Sequence, residues 1–262
     1  MNETDNAQPR IALLIDADNA PADLIDEILT ELSTLGVINI RRAYGNWTKS
    51  ALGGWQSRLL EFAIRPMQQF DYSKRKNASD MAMTVDAMEL LYTERPDAFG
   101  IVSSDADFTP LVMHLRAKGA AVYGFGAEQT PKPFVNACSR FLYLEALAEA
   151  HATDSEDPPG EAAADTPAPV QVQRVRVSTS KLRQDTSLMN MLRDAVHAVA
   201  DETGWAKVGA VGTQISNKAS FDPRNYGYAS LSKLLAATGA FEFRDEGTSR
   251  VSVRDKRLDK TP

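Results

Sequence analysis

Ile11-Ala-Leu-Leu-Ile-Asp-Ala-Asp-Asn19 sets an unbroken apolar run directly before two carboxylates, Asp16 and Asp18. A short run of this kind reads as a strand covered on both faces, as in parallel sheets. The residues that follow fit. Pro21 suits the first turn of a helix, Leu24, Ile25, Ile28, Leu29, Leu32 and Leu35 recur at helical spacing, and Gly36 ends the pattern. Val37 to Tyr44 reads as a second strand and Trp55 to Ile64 as a helix. Ser79 is placed to cap a helix from Asp80 to about Thr93. Phe99 to Val102 is a third buried strand, Thr109 and Pro110 start a helix that Gly119 stops, and Ala121 to Phe125 is a fourth strand. This alternation predicts an α/β sandwich with a mostly parallel sheet.

Further along, within residues 151–182, the stretch from His151 to Pro169 is rich in Ala, Asp, Glu and Pro and poor in large apolar groups. Such a segment buries too little surface to offset its ordering entropy and reads as a disordered linker. From about Asp185 order is expected again. Leu188, Leu192, Val196 and Val199 mark one helix, Val208 to Asn217 a second, and Tyr228 to Ala237 a third with Leu231, Leu234 and Leu235 as its apolar face. Phe241 to Arg244 and Arg250 to Arg254 alternate at period two around Glu246-Gly247 and read as a hairpin. Three helices and a hairpin make a winged-helix layout. The expected division is a flexible start at 1–9, an α/β domain at 10–150, the linker at 151–182, a winged-helix domain at 183–256 and a tail at 257–262.

The whole chain has 262 residues and a net charge of −6, yet the charge is unevenly spread. Residues 1–150 hold 14 Lys and Arg against 20 Asp and Glu, residues 151–170 none against 5, and residues 171–262 hold 15 against 10. An acidic body with a basic C-terminal module does not exclude nucleic acid as a partner. No stretch approaches the roughly 20 apolar residues that span a bilayer, and the polar start MNETDNAQPR carries no secretion signal, so a cytoplasmic protein with no membrane partner is expected. The single cysteine, Cys138, lies among apolar residues and reads as a small core residue.

Asp16 and Asp18 follow the first strand, and Asp105 and Asp107 follow the third. Open parallel sheets bind ligands outside the carboxyl ends of their strands, so the two pairs are expected at one edge. Asp80, after the basic run Lys74-Arg-Lys76, is a fifth candidate. Gathered carboxylates repel one another and are costly to desolvate, and a divalent cation removes both penalties. Oxygen-only ligands favour Mg²⁺ or Mn²⁺ over zinc, and His114, His151 and His197 have no metal-ligand spacing. Carboxylate-held Mg²⁺ activates water and neutralises charge on a phosphate, which is chemistry for phosphodiester hydrolysis. Each acid also has a plainer reading: Asp18 and Asn19 as helix caps or turn formers, Asp107 as a solvated turn residue. Arg41, Arg42, Tyr44, Trp47 and Lys49 are expected at the same edge, where cations neutralise phosphates and aromatic rings stack on bases.

Three segments, Ile15-Asp-Ala-Asp-Asn19, Lys76-Asn-Ala-Ser-Asp80 with Asp86 six residues on, and Val102-Ser-Ser-Asp-Ala-Asp-Phe-Thr-Pro110, together resemble the NYN family of PIN-like, LabA-like nucleases over roughly residues 10–145. Trp205-Ala-Lys-Val208, Gly227-Tyr-Ala-Ser-Leu231 and the closing hairpin resemble the OST-HTH, or LOTUS, domain. The resemblance implies a metal-dependent ribonuclease, cutting as an endonuclease, with Asp16 as central metal ligand, Asn19 orienting it or touching substrate, Asp80 completing the acidic site, and Asp105 and Asp107 binding metal or positioning water. Asp86 matches a family carboxylate less securely, being about 120° from Asp80 around a helix. Ser103 and Ser104 would meet a phosphate; serine stands before Asp105 where many relatives have glycine. Arg41, Trp47 and Lys76 are further substrate contacts. For the C-terminal domain the resemblance implies binding of RNA or of a protein partner, with Lys207, Lys218, Arg224, Lys233 and Tyr226 as contacts.

Two other readings are open. A haloacid-dehalogenase-type phosphatase also begins with a strand and Asp-x-Asp, using the first Asp as nucleophile, but wants Thr or Val where this chain has Ala20. A non-catalytic adaptor would keep the fold without needing every acid.

Overall fold

Side chains of a strand alternate between its two faces, so an unbroken apolar strand needs a core on each side. β1 (Arg10–Asp16) meets that need: Ala12 and Leu14 enter one core, Ile11, Leu13 and Ile15 the other. The computed structural model describes residues 8–70, 78–151, 176–248 and 250–257, and the chain divides into two units between His151 and Ala152.

In the first unit, β1 is joined by β2 (Val37–Gly45), β3 (Arg65–Gln68), β4 (Ala98–Val102), β5 (Ala121–Gly126) and β6 (Arg140–Tyr143) in the order β3-β2-β1-β4-β5-β6. All five pairings are parallel. α3 (Ala78–Thr93), α4 (Thr109–Ala117) and α5 (Lys132–Ala137) cover one face. α1 (Ile25–Ser33), α2 (Trp55–Glu61) and α6 (Leu144–His151) cover the other. The expected α/β sandwich with a parallel sheet is what forms. Gly119, at φ +94, stops α4 as expected, in a conformation that side chains resist. Cys138 is buried in the first core, and burial pushes its thiol up to about 12, which suits a packing residue.

Several elements depart from the sequence reading. α2 stops at Glu61, and the chain then forms edge strand β3 through Arg65-Pro-Met-Gln68. That stretch has no apolar run, and Pro66 is tolerated because an edge strand is paired on one side only. α5, β6 and α6 likewise extend beyond the elements that the sequence pattern predicts. Ser79 lies inside the first turn of α3, not before it, and spends its hydroxyl elsewhere.

The second unit contains α7 (Thr179–Gln184), α8 (Thr186–Val199), β7 (Ala206–Lys207), α9 (Val208–Lys218), α10 (Leu231–Thr238), β8 (Phe241–Arg244) and β9 (Ser252–Asp255). β8 and β9 form the expected antiparallel hairpin, and β7 adds a third strand beside β9. Leu192, Val211, Leu235 and Val253 meet in one core. Asp185 caps α8 by accepting from Leu188 N, and Ser230 caps α10, so α10 starts after Tyr228 rather than at it. The expected linker and the second unit meet near residue 183. Residues 179–184, which span that junction, are helical, and Leu182 is fully buried in the second core. The rest of the predicted linker, 152–175, lies outside the described residues, as do the ends at 1–7 and 258–262.

Candidate active site

β1 and β4 are neighbours, but the chain leaves β1 toward β2 and β3 on one side and reaches β5 and β6 on the other. The carboxyl ends of β1 and β4 therefore flank the switch point of the sheet, where loops diverge and leave a crevice. Asp16 is the last residue of β1, and Ser103 to Asp107 leave the end of β4.

Asp16 is 1 % exposed. Its Oδ2 accepts from Asn19 Nδ2 at 2.9 Å and from Ser103 Oγ at 2.9 Å. Its Oδ1 is buried without a hydrogen-bond partner. Burial raises the Asp16 pKa, the two hydrogen bonds oppose that, and Asp18 and Asp105 add to it by repulsion. A carboxylate oxygen buried and unpaired is costly, and a hydrogen-bond donor or a cation would relieve that cost.

Asp80 stands in the first turn of α3. A helix N-terminus favours a carboxylate, yet the Asp80 pKa is pushed up to about 6. Burial is the largest cause, followed by the fields of Asp16, Asp105, Asp18 and Asp107. The five predicted acids thus share one electrostatic neighbourhood. Asp18 is not a cap for the first helical turn, which has no side-chain cap. Its Oδ2 instead accepts from Ser79 Oγ at 3.0 Å, joining the β1 loop to α3, and its Oδ1 lies 3.5 Å from Lys49 Nζ. Asp105 caps the turn that follows it, its Oδ1 accepting from Asp107 N at 2.8 Å, while Asp107 is exposed, as a solvated turn residue would be. Among the described residues, no group of three His, Cys, Asp or Glu side chains is drawn tightly enough to hold a metal by itself.

Other predicted residues fall elsewhere. Arg42, Tyr44 and Arg41 lie within β2, not beyond it. Leu14 pairs with Arg42 and Asp16 with Tyr44. Arg42 and Tyr44 point toward α3, where both donate to Asp86. Burial and the hydrogen bond to Asp86 drive the Tyr44 phenol well above its ordinary value; burial opposes the charge of Arg42, but Asp86 more than compensates. Asp86 is therefore the anchor of a buried triad, with both its oxygens engaged, and not a member of the acid cluster. Arg41 faces the other side and donates to Phe62 O at 2.8 Å. Trp47 packs on the second core with Nε1 buried and unpartnered, so its ring is not splayed for stacking. Ser104 Oγ accepts from Ala127 N at 2.8 Å and ties β4 to β5. Lys74, Arg75 and Lys76 lie outside the described residues.

In the second unit, Lys218 pairs with Asp194 at 3.2 Å, and Arg224 forks onto the buried Asp222 of its own turn. The Tyr226 ring lies 6.0 Å from that of Phe221. Lys207, on β7, and Lys233, in α10, are exposed.

Residues 10–145 match the NYN domain, and residues 183–253 match the OST-HTH/LOTUS domain. The uncharacterized protein MJ0482 of Methanocaldococcus jannaschii is 36% identical over 124 residues, 45% of this chain and 48% of that one, so this chain spans about half the length of that relative. A protein of unknown function from Vibrio parahaemolyticus, VPA0982, is 18% identical with a TM-score of 0.43, over 55% of this chain and 96% of that one. An uncharacterized protein from gene locus NE0665 of Nitrosomonas europaea is 25% identical with a TM-score of 0.25, over 37% of this chain and 92% of that one.

Proposed function

Because the chain belongs to the NYN domain family, we propose that its first unit is a metal-dependent ribonuclease acting at the Asp16 crevice, with the second unit holding RNA. The observation that carries this reading is the unpaired, buried Oδ1 of Asp16 beside an Asp80 whose charge four other carboxylates oppose.

The residues present fit a hard divalent cation: all candidate ligands are oxygens, and one of them is buried without a donor. Mg²⁺ keeps several waters and needs only one or two carboxylates, so a ready-made three-acid cage is not required. Asp16 Oδ1 and Asp80 would hold the ion, with Asp105 and the exposed Asp107 reaching it directly or through water. Bound Mg²⁺ or Mn²⁺ would lower the pKa of water and offset charge growing on a phosphate. The protein's own part is positioning. Asn19 and Ser103 hold Asp16 in one orientation, and Ser103 also accepts from Asp105 N at 3.1 Å, so one hydroxyl fixes both strand ends. Asp18 fixes the first turn of α3, and thereby Asp80, through Ser79. Lys49, beside Asp18, is placed to neutralise an incoming phosphate.

The phosphatase reading needs Asp16 open to attack a substrate, whereas Asp16 is buried and held by two donors. Endonucleolytic cutting and a cytoplasmic setting belong to the same proposal; no helix among the described residues is long and apolar enough to cross a membrane. The test is incubation of the pure chain with mixed labelled RNAs and DNAs in Mg²⁺, Mn²⁺ or EDTA. Internal cuts in RNA with metal and none with EDTA are expected. Intact RNA under every condition leaves the adaptor reading instead.

A further inference from the structure

The second unit carries a concentration of the opposite charge. A cavity of about 340 Å³ is walled by Arg183, Arg193, Lys256 and Arg257, with Met189 and the Gly239-Ala240 backbone completing it. None of these residues is acidic.

The wall is built from specific bonds. Arg183 donates from Nε to Thr238 O at 2.6 Å and lies across the turn that ends α10. Gly239, at φ +64, ends that helix, and a Cβ there would collide with the Arg183 guanidinium. The left-handed backbone is what calls for glycine at 239, and the Arg183 guanidinium occupies the space beside it. Lys256 Nζ donates to Gly239 O at 3.1 Å. Behind the wall, Asp255 is 1 % exposed; its Oδ2 lies 3.2 Å from Arg193 Nε and 3.5 Å from His197 Nε2, and its Oδ1 accepts from Arg257 N at 3.0 Å. Asp255 is thus already shared. Among the described residues, no carboxylate forms an ion pair with Arg183, Lys256 or Arg257.

Like charges gathered in a concavity repel one another and focus an anion-attracting field. Guanidinium forks match phosphate oxygens in bidentate pairs. The volume lies at the small end of ligand pockets, about 300–1,000 Å³. An internal phosphodiester carries one charge and is flanked by chain on both sides, which suits an open surface. A terminal phosphate carries about −1.5 to −2 and three free oxygens, and it enters end-on. The Lys218 and Arg224 side chains already pair with acids, whereas of the four cations around this cavity only Arg193 does so among the described residues.

We propose that the Arg183–Arg257 cavity binds a phosphate monoester presented by the end of an RNA chain. The proposal rests on the reading of the second unit as an RNA-binding domain. A free mononucleotide offers the same chemistry, and the experiment separates the two sources.

The experiment measures fluorescence anisotropy of the full chain in EDTA with one single-stranded oligoribonucleotide in three forms: 5′-phosphate, 3′-phosphate, or hydroxyls at both ends. Uridine and adenosine monophosphates and inorganic phosphate serve as competitors. One phosphorylated form should bind about tenfold tighter than the hydroxyl-ended RNA. Arg257→Ala, at an exposed position, should abolish that advantage while hydroxyl-ended RNA affinity and melting temperature stay unchanged. Arg183→Lys, which keeps the charge but loses the fork, should lose part of it. Equal affinity for all three forms, with Arg257→Ala weakening them alike, overturns the proposal and leaves a general backbone-binding surface. Mononucleotide binding that depends on Arg257, with no preference among RNA ends, overturns the RNA-end source but keeps the phosphate chemistry. If no RNA binds while mononucleotide still depends on Arg257, it is the RNA-binding reading of the second unit that has failed.

Discussion

Asp80 and Asp86 are six residues apart on the same helix and live in opposite surroundings. Asp86 is clasped by Arg42 and Tyr44, so its charge is answered inside the fold. Asp80 faces four other carboxylates and its pKa rises to about 6. Burying a compensated charge makes a strut, whereas holding uncompensated like charges together costs free energy that folding alone does not recover. The difference separates an acid whose charge is answered within the fold from one whose charge is opposed by its neighbours.

The largest effect on stability is therefore expected at the strut. Asp86→Ala strands Arg42 in a half-buried site and should cost about 3 kcal/mol, read by urea unfolding of the chain. Tyr44→Phe, which removes one donor, should cost about 1 kcal/mol. Asp80→Asn should cost nothing or stabilise, since it removes repulsion. Equal destabilisation by the Asp80 and Asp86 variants would erase the contrast.

Mn²⁺ should act on the other half of the comparison. At a hundred times its dissociation constant, a ligand bound only by the folded state adds about 2.7 kcal/mol, visible as a rise in the melting temperature of the first unit. The shift should vanish in Asp16→Asn and persist in Tyr44→Phe. A shift that survives Asp16→Asn places the ion elsewhere.

A smaller effect is expected from pH without metal. Asp80 has a folded pKa of about 6 against an ordinary 3.8, so between these values the folded state binds the extra proton. Its contribution to stability is fully present below about 3.8 and is lost as pH rises through about 6. Stability of the wild type relative to Asp80→Asn should therefore fall across that window, and Mn²⁺ should flatten the slope. A difference that rises with pH would contradict the crowding of acids around Asp80.

What the sequence disclosed follows from these physical causes. β1 was legible because a strand covered on both faces must be apolar throughout, and its acids because strand ends in parallel sheets collect at one edge. β3 was not, because an edge strand needs neither an apolar run nor a full set of backbone donors, and Arg65-Pro-Met-Gln68 has neither. The Arg42–Asp86–Tyr44 triad was missed although a signal existed. Period-two alternation puts Arg42 and Tyr44 on one face of β2, and a charge there must find a partner on the covering helix. Local sequence favours Ser79 as a cap; the bond to Asp18 spans 61 residues and no local pattern encodes it. Leu182 shows the same limit at the domain boundary, since composition alone could not tell that one leucine plugs the second core.

The central claim is that Asp16 serves an ion at which RNA is cut. Its most direct test is single-turnover cleavage of labelled RNA by the wild type and Asp16→Asn, each in Mn²⁺ and in EDTA, from preparations shown free of other nucleases. The wild type should cut only with metal, and the variant, folded, should be slower by about two to three orders of magnitude. Cleavage by Asp16→Asn at the wild-type rate, or undiminished cleavage in EDTA, would contradict the account.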